Sequence, residues 1–315
     1  MGIRITNSML VRTALSGVFA QRERLATTQE QAATGLRVNR PSDDPVAASR
    51  AAMLRAEAGE NAQFQRNIEQ AEARMVTVER AIASSQEVML RARELAIQGA
   101  NDSLGADARS LLAREIETLF DELLAASNIR HAGGSVFAGT ASTTEPFVRS
   151  GPFVSGAPAP TVSFAGDSIE IEIAIAEGRR IPTTLAGGRV FQGDGDGDGI
   201  PDAGREDVFA VLGELYRALD TNDRTAIAGT LDRLDRVQLQ FELELARVGA
   251  AGSQIERVRE RLESERVDLE ARLSGTQDAS IERVFTDLAL RETALEASLQ
   301  ATGRAVAPSL MDFLG

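Results

Sequence analysis

"RPSDDPVAASR", residues 40–50, crowds two prolines, a serine and two aspartates ahead of an alanine-rich run. A proline ring pushes the preceding residue out of the α region, so Arg40 and Asp44 are expected to be extended. Asp44 then fits an N-cap whose carboxylate accepts from first-turn amides, and Pro45 fits the first helical position. Upstream, Gly35 in "ATGLRVN" fits the left-handed end of a preceding helix. Pro41, Ser42, Asp43, Asp44 and Pro45 therefore read as a stiff connector between two helices.

Proline placement extends that reading along the chain. The nine prolines leave 46–145 and 202–307 entirely free. Within both spans apolar residues recur every seven positions. Leu54, Ile68, Met75, Ile82, Met89 and Ala96 mark one seam, broken only by Asn61, and Ile227, Leu234, Phe241, Val248, Ile255, Leu262 and Leu269 mark another. Sustained heptads predict long helices packed side by side in coiled-coil fashion. A helix from Pro45 to Gly99 would run about 80 Å. A third helix fits 106–127, with Leu112, Ile116, Leu119 and Leu123 on one face.

The two ends carry lone stripes. Val11, Val18 and Leu25 are seven apart, as are Ile281, Leu288 and Leu295, with Phe285 and Leu299 in a second seam. A single amphipathic stripe needs a partner, either the other terminal helix or a neighbouring molecule. Heptad placement suits packing between subunits and equally suits packing within one chain. Between the helical halves, 131–205 holds most of the prolines and breaks into Gly/Ser/Thr-rich pieces. "SIEIEIAIA" (168–176) alternates, with Ile169, Ile171, Ile173 and Ile175 on one face and Glu170 and Glu172 on a solvated one, which predicts a half-buried strand. "TVSFAG" and "GGRVFQG" are shorter strand candidates.

The predicted fold is mainly α: a long antiparallel helical coiled-coil rod built from both chain ends, with a small β-rich domain inserted in the middle. Its divisions are 1–40 plus 276–315, 41–130 plus 206–275, and 131–205.

Composition removes most chemistry. All 34 basic residues are arginine, there is no cysteine, and His131 is the one histidine. Disulfides, thiolate metal sites, Schiff-base lysines and multi-histidine metal centres are thereby excluded. His131, in "NIRHAGGSVFAG", lacks a nucleophile elbow and reads as a loop histidine. Glu170 and Glu172, two apart on a strand, form a solvated face more simply than a glycosidase pair. No enzyme is expected. A net charge of -13 disfavours nucleic acid and anionic membrane as general partners. The aromatic content of 4%, with Tyr216 the one tyrosine and no tryptophan, suits an aliphatic, alanine-filled core. The N-terminus lacks a cleavable signal pattern and no stretch is apolar enough to span a bilayer, so no membrane insertion is expected.

"GDGDGDGIPDAGRED" (193–207) is the one stretch with candidate metal chemistry. Asp194, Asp196 and Asp198 at alternate positions, then Gly199, match the start of a calcium loop, with the Ile200 carbonyl and Asp202 at its seventh and ninth positions. The twelfth position, normally a bidentate acid, is Arg205, and Glu206 comes one residue late. The expectation is no required cofactor, with the 194–206 loop a candidate for weak calcium binding; a flexible acidic loop without metal is the alternative.

Several of these pieces together resemble the flagellin-like axial proteins of bacterial flagella, and within them the hook-associated subfamily of the hook–filament junction. "RITNSML" near the start and "TGLRVNRPSDDPVAAS" (34–49) look like the family's N-terminal signature, and "SVFAG" (135–139) resembles its internal tag. "TALEASLQATGRAV" (293–306) and "SLMDFL" (309–314) look like its C-terminal signature. The tetrad Ser42-Asp43-Asp44-Pro45, the Phe137-Ala138-Gly139 tag and the Asp312-Phe313-Leu314 ending favour the junction subfamily over filament flagellin. Ser280 departs from the acidic residue expected before the last helix.

The resemblance implies a structural protein exported through the hollow flagellum by its export apparatus with a chaperone, and located outside the cell. It implies three kinds of partner: copies of itself in a ring, a hook-side hook-associated protein, and filament flagellin. Terminal helices would build the inner tube, with Val11, Val18, Leu25, Ile281, Phe285, Leu288, Leu295 and Leu299 as packing residues and Leu310 and Phe313 as a terminal apolar anchor. The connector would hold the angle between inner-tube helix and rod. Filament flagellin remains one alternative, and a secreted calcium-dependent binding module or adhesin on a coiled-coil rod is another.

Overall fold

A computed structural model describes the backbone of residues 7–306 and the side chains of Met9 and of 12–304. The chain is mainly α-helical. Its helices are α1 (Asn7–Thr34), α2 (Pro45–Ala100), α3 (Ala106–Ser127), α4 (Val208–Asp220), α5 (Arg224–Gln277) and α6 (Ile281–Val306). Six short strands between α3 and α4 form three antiparallel pairs: β1 (Arg130–His131) with β2 (Gly134–Ser135), β3 (Phe147–Arg149) with β4 (Val162–Phe164), and β5 (Glu172–Ala176) with β6 (Arg179–Pro182). Among the described residues no helix is long and apolar enough to cross a membrane. The backbone separates into two compact units, one bounded by Glu60 and Ser264 and containing both terminal helices, the other spanning Asn61–Glu263.

In the second unit the heptads become the core. Ile68, Met75, Ile82, Met89 and Ala96 of α2 are buried, as are Ile227, Leu234, Phe241, Val248, Ile255 and Leu262 of α5. Helix α3 adds Leu112, Ile116, Leu119 and Leu123. Asn61 occupies its seam position buried, its amide nitrogen donating to the Leu262 carbonyl at 2.9 Å. A polar group in such a seam favours one register, because other registers leave that amide unpaired.

Few aromatics does not mean dispersed aromatics. Phe120 packs edge-on to Phe153 at 5.1 Å, Phe137 edge-on to Phe191 at 5.0 Å, and Phe153 lies 4.3 Å from Tyr216. These rings join the strand-rich segment to α3, α4 and α5 in one core. A second cluster seats Ile175 and Ile181 of the β5–β6 hairpin on Ile68, Met75, Ile255 and Leu262.

Arg109 is 3% exposed yet has no carboxylate partner among the described residues. It donates to the carbonyls of Gly99 and Asn101 at 2.7 Å each and to Asn222 Oδ1 at 2.5 Å. The carbonyls at the α2 C-terminus carry the partial negative charge that compensates the guanidinium.

Four local expectations need correction. The strand predicted over 168–176 begins only at Glu172, and Ile169 is 62% exposed while Ile175 is fully buried. Burial deepens along the segment because only its far end reaches α2 and α5. Glu170 is not on a solvated face but pairs with Arg189 at 2.8 Å and Arg247 at 3.0 Å. "GGRVFQG" is not a strand: Gly188–Gln192 forms a π-helical turn, which buries the consecutive residues Val190 and Phe191 as an alternating strand could not. His131 lies in β1 rather than in a loop, its Nδ1 3.0 Å from Thr77 Oγ1.

Candidate functional site

The connector is built from both halves of the chain. Helix α1 ends where Gly35 turns left-handed (φ +71), its amide donating back to the Gln31 carbonyl at 2.9 Å. The following residues lie against the α5–α6 turn: Leu36 forms an antiparallel bridge with Asp278, the amides of Arg37 and Val38 donate to the Gln277 carbonyl at 2.7 and 3.3 Å, and the Ala279 amide donates to the Gly35 carbonyl at 2.9 Å. Pro41, Ser42 and Asp43 then make an exposed turn closed by the Asp43 amide on the Arg40 carbonyl at 3.0 Å. Asp43 holds that turn from its side chain, Oδ2 accepting from the amides of Asn39 at 3.1 Å and Arg40 at 2.8 Å.

Asp44 and Pro45 stand as expected. Pro45 is the first residue of α2, and Asp44 Oδ1 accepts from the Ala47 amide at 3.0 Å. That amide, followed by the Arg37 guanidinium, holds the Asp44 carboxyl below the usual aspartate range. Arg37 was not singled out in the sequence, although it lies inside the quoted signature. Its guanidinium donates to Asp44 Oδ2 at 3.0 Å and to the Thr276 carbonyl at 2.9 Å, and its own carbonyl accepts from Gln31 Nε2 at 3.0 Å.

The terminal helices find each other, since α1 packs along α6. Val18 on α1 and Val284 on α6 are buried, and Leu25, Leu288 and Leu295 are half-buried. Arg291 also donates to the Arg24 carbonyl at 3.4 Å. The other described members of the predicted packing set face outward: Ile281 is 64%, Phe285 57% and Leu299 44% exposed. On α1, Met9, Leu15 and Phe19 are exposed too. At 100° per residue, Ile281, Phe285, Leu288 and Leu299 fall along one flank of α6, beside the edge that meets α1. Val11 lies in α1 with its side chain outside the described residues, and Leu310 and Phe313 lie outside them entirely.

The acidic loop gathers its carboxylates. Oxygens of Asp194, Asp196 and Asp198 lie within 4.8 Å of one another. They are already engaged by backbone: Asp194 accepts from the amides of Gly197 and Gly199 at 2.7 and 2.8 Å, Asp198 from that of Ile200 at 2.8 Å, and Asp202 from that of Gly195 at 3.0 Å. The closing position of a calcium loop points elsewhere, because Arg205 reaches Glu244 at 3.1 Å and Glu206 is held by Arg233 and Arg236 at 2.8 and 2.6 Å. Glu244, its side chain 3% exposed, also receives Arg189 at 3.2 Å. This buried charge cluster fastens 189–206 to α5, and no pattern of spacing in the sequence announces it.

The "SVFAG" tag is core. Ser135, Val136, Phe137 and Ala138 are all buried, and Gly139 (φ +62) leaves no room for a Cβ because the Asp167 side chain and backbone fill that position. The motif thus specifies packing and a left-handed turn rather than a recognition surface.

Residues 5–142 match the bacterial flagellin N-terminal helical region. Over that stretch, which holds α1 and the connector, the chain is similar to flagellin-like axial proteins. Its similarity extends to flagellar hook-associated protein 3 of Escherichia coli (strain K12), with 26% identity over 311 residues, 95% of this chain and 96% of that one. The solved structure of flagellar hook-associated protein 3 from Legionella pneumophila shares the fold, with a TM-score of 0.60 and 16% identity over 71% of this chain and 98% of that one. A flagellin from Clostridium tyrobutyricum is 25% identical over 119 residues, 38% of this chain and 32% of that protein.

Proposed function

We propose that this chain is a structural protein of the bacterial flagellum, acting outside the cell as the adaptor between a hook-side hook-associated protein and filament flagellin. The observation that carries the reading is the near full-length similarity to hook-associated protein 3, set beside a shorter similarity to flagellin. The exposed apolar flank of α6 supports the mechanism. Ile281, Phe285 and Leu299 would be covered by copies of the chain arranged in a ring, while α1 and α6 pair within each copy. Leu310 and Phe313 would add the apolar anchor at the chain's end. The chain would reach this place through the flagellar export apparatus with its chaperone, and the reading calls for neither catalysis nor a cofactor.

Filament flagellin is the second reading, favoured by the match over 5–142. Immunogold microscopy of intact flagella with antibody against residues 140–200 separates the two. A single short band between hook and filament is expected. Label along the whole filament would replace the adaptor with a filament subunit, and flagella without label would sink both.

A further inference from the structure

From the geometry around Arg37 we infer that the α1–α2 connector is an interlock whose shape is imposed by the α5–α6 turn, with Arg37 as the positioning residue that closes it. This rests on the proposed role of the connector and adds what regulates it. The connector's own hold on α1 runs through solvent-exposed side-chain bonds, Arg40 to Glu30 at 3.2 Å and Gln31 Nε2 to the Arg37 carbonyl at 3.0 Å, which fix its direction only weakly. Asp43 ties 39 and 40, and Asp44 caps α2 and accepts from Arg37. The backbone bonds that hold residues 36–38 come from the other end of the chain: the Leu36–Asp278 bridge and two amides on the Gln277 carbonyl, joined by the Ala279 amide on the Gly35 carbonyl.

Arg37 joins the two sets. Through one side chain and its peptide it touches the last turn of α1 (Gln31), the cap of α2 (Asp44) and the end of α5 (Thr276, Gln277). Its ion pair with Asp44 is about half exposed, 48% and 34%, so it adds little net stability. Its contribution is geometric, because the planar guanidinium fork spans two acceptors on different helices at once. The N-terminal signature therefore adopts its working shape only after the C-terminal turn has docked. A chain lacking that docking would keep all its helices and lose the fixed angle between α1 and α2.

The natural chain has no cysteine, so two introduced cysteines can be spin-labelled cleanly. Glu23→Cys on α1 and Met53→Cys on α2 are exposed sites, and the label–label distance distribution is measured by pulsed electron resonance on the purified full chain. Two variants test the interlock from opposite ends of the chain. Ala279→Pro removes the amide that donates to Gly35, and Arg37→Gln removes the fork. Each is expected to broaden the distribution at unchanged helical circular dichroism, raising the open fraction about five-fold, as the loss of one hydrogen bond would.

No broadening in either variant would overturn the interlock. Broadening by Arg37→Gln alone would overturn control by the C-terminal turn, and broadening by Ala279→Pro alone would overturn the part given to Arg37. Should Arg37→Gln lose helix, Arg37→Lys keeps the charge and removes the fork; a distribution identical to the parent would again refute the role. Because the distances are read on the isolated chain, they stand apart from the gold-labelling test of the junction reading.

Discussion

Replacing Phe285 with serine should leave the isolated chain's melting almost unchanged and yet weaken its association with other subunits. Its sequence neighbour Val284 should behave in the opposite way. The two differ in surroundings, Val284 being 8% and Phe285 57% exposed on the same turn of α6. With about 200 Å² for a phenylalanine, about 110 Å² remains for a partner to cover. At about 25 cal/mol/Å² that area is worth about 2.8 kcal/mol for each contact formed, or a loss of about 100-fold in association. Val284→Ala instead removes buried methyl groups between α1 and α6, which should cost the monomer about 2 kcal/mol. Sedimentation velocity across a concentration series reads association, and thermal circular dichroism reads monomer stability. A Phe285→Ser variant that melts as early as Val284→Ala would show that the flank is covered within one chain. An unchanged association constant would show that this flank is not where subunits meet.

Other outcomes follow from the same contacts. Glu244→Ala removes the buried carboxylate that Arg189 and Arg205 share, leaving Arg189 on Glu170 and Arg205 on the Arg189 carbonyl, and urea unfolding of the Asn61–Glu263 unit should lose about 3 kcal/mol; a loss under 1 kcal/mol would mean the remaining partners and water suffice. Glu206 and its neighbour Asp207 should shift stability in opposite directions with pH. Burial opposes the charge on Glu206, but the Arg233 and Arg236 guanidinium groups outweigh it and hold its carboxyl below its ordinary value of 4.5. Its stabilising contribution is present above 4.5 and is lost as pH falls through the lower folded value, so the gap between the natural chain and Glu206→Gln should close in acid. Burial instead raises Asp207 above 3.8 despite its cap bonds to Ala210 and Phe209, so its contribution is complete below 3.8 and lost as pH rises through the folded value. Asp207→Asn keeps the cap acceptor and should therefore stabilise the chain at neutral pH but not in acid; equal effects at both would refute the assignment. Gly35→Ala meets no neighbour within 4 Å, so its cost should be the left-handed strain alone, about 1 kcal/mol in the melting of the helix pair.

Long-range order was legible wherever it depended on local periodicity. The heptads of α2 and α5, the boundaries of α3, the cap at Asp44 and the left-handed Gly35 all stand as their residue types require, because capping and a seven-residue repeat act within a turn or two. The same periodicity placed an apolar stripe on each terminal helix. It did not tell Val18, buried, from Phe285, exposed, since a stripe is equally apolar whichever molecule covers it. Contacts between residues far apart in the chain were decided by the tertiary structure alone. Arg37 meets Thr276, and Glu244 collects Arg189 and Arg205 from a segment misread in part as strand. In each case the bond depends on where two distant pieces of backbone come to rest, and neither piece carries a local signal of the other. So the sequence by itself determined the helices, their caps and the apolar stripes, which short-range sterics and periodicity dictate. Only the folded chain decided which stripes close on each other and which stay open, because that depends on the three-dimensional packing of segments more than two hundred residues apart, as at Arg37 and Thr276.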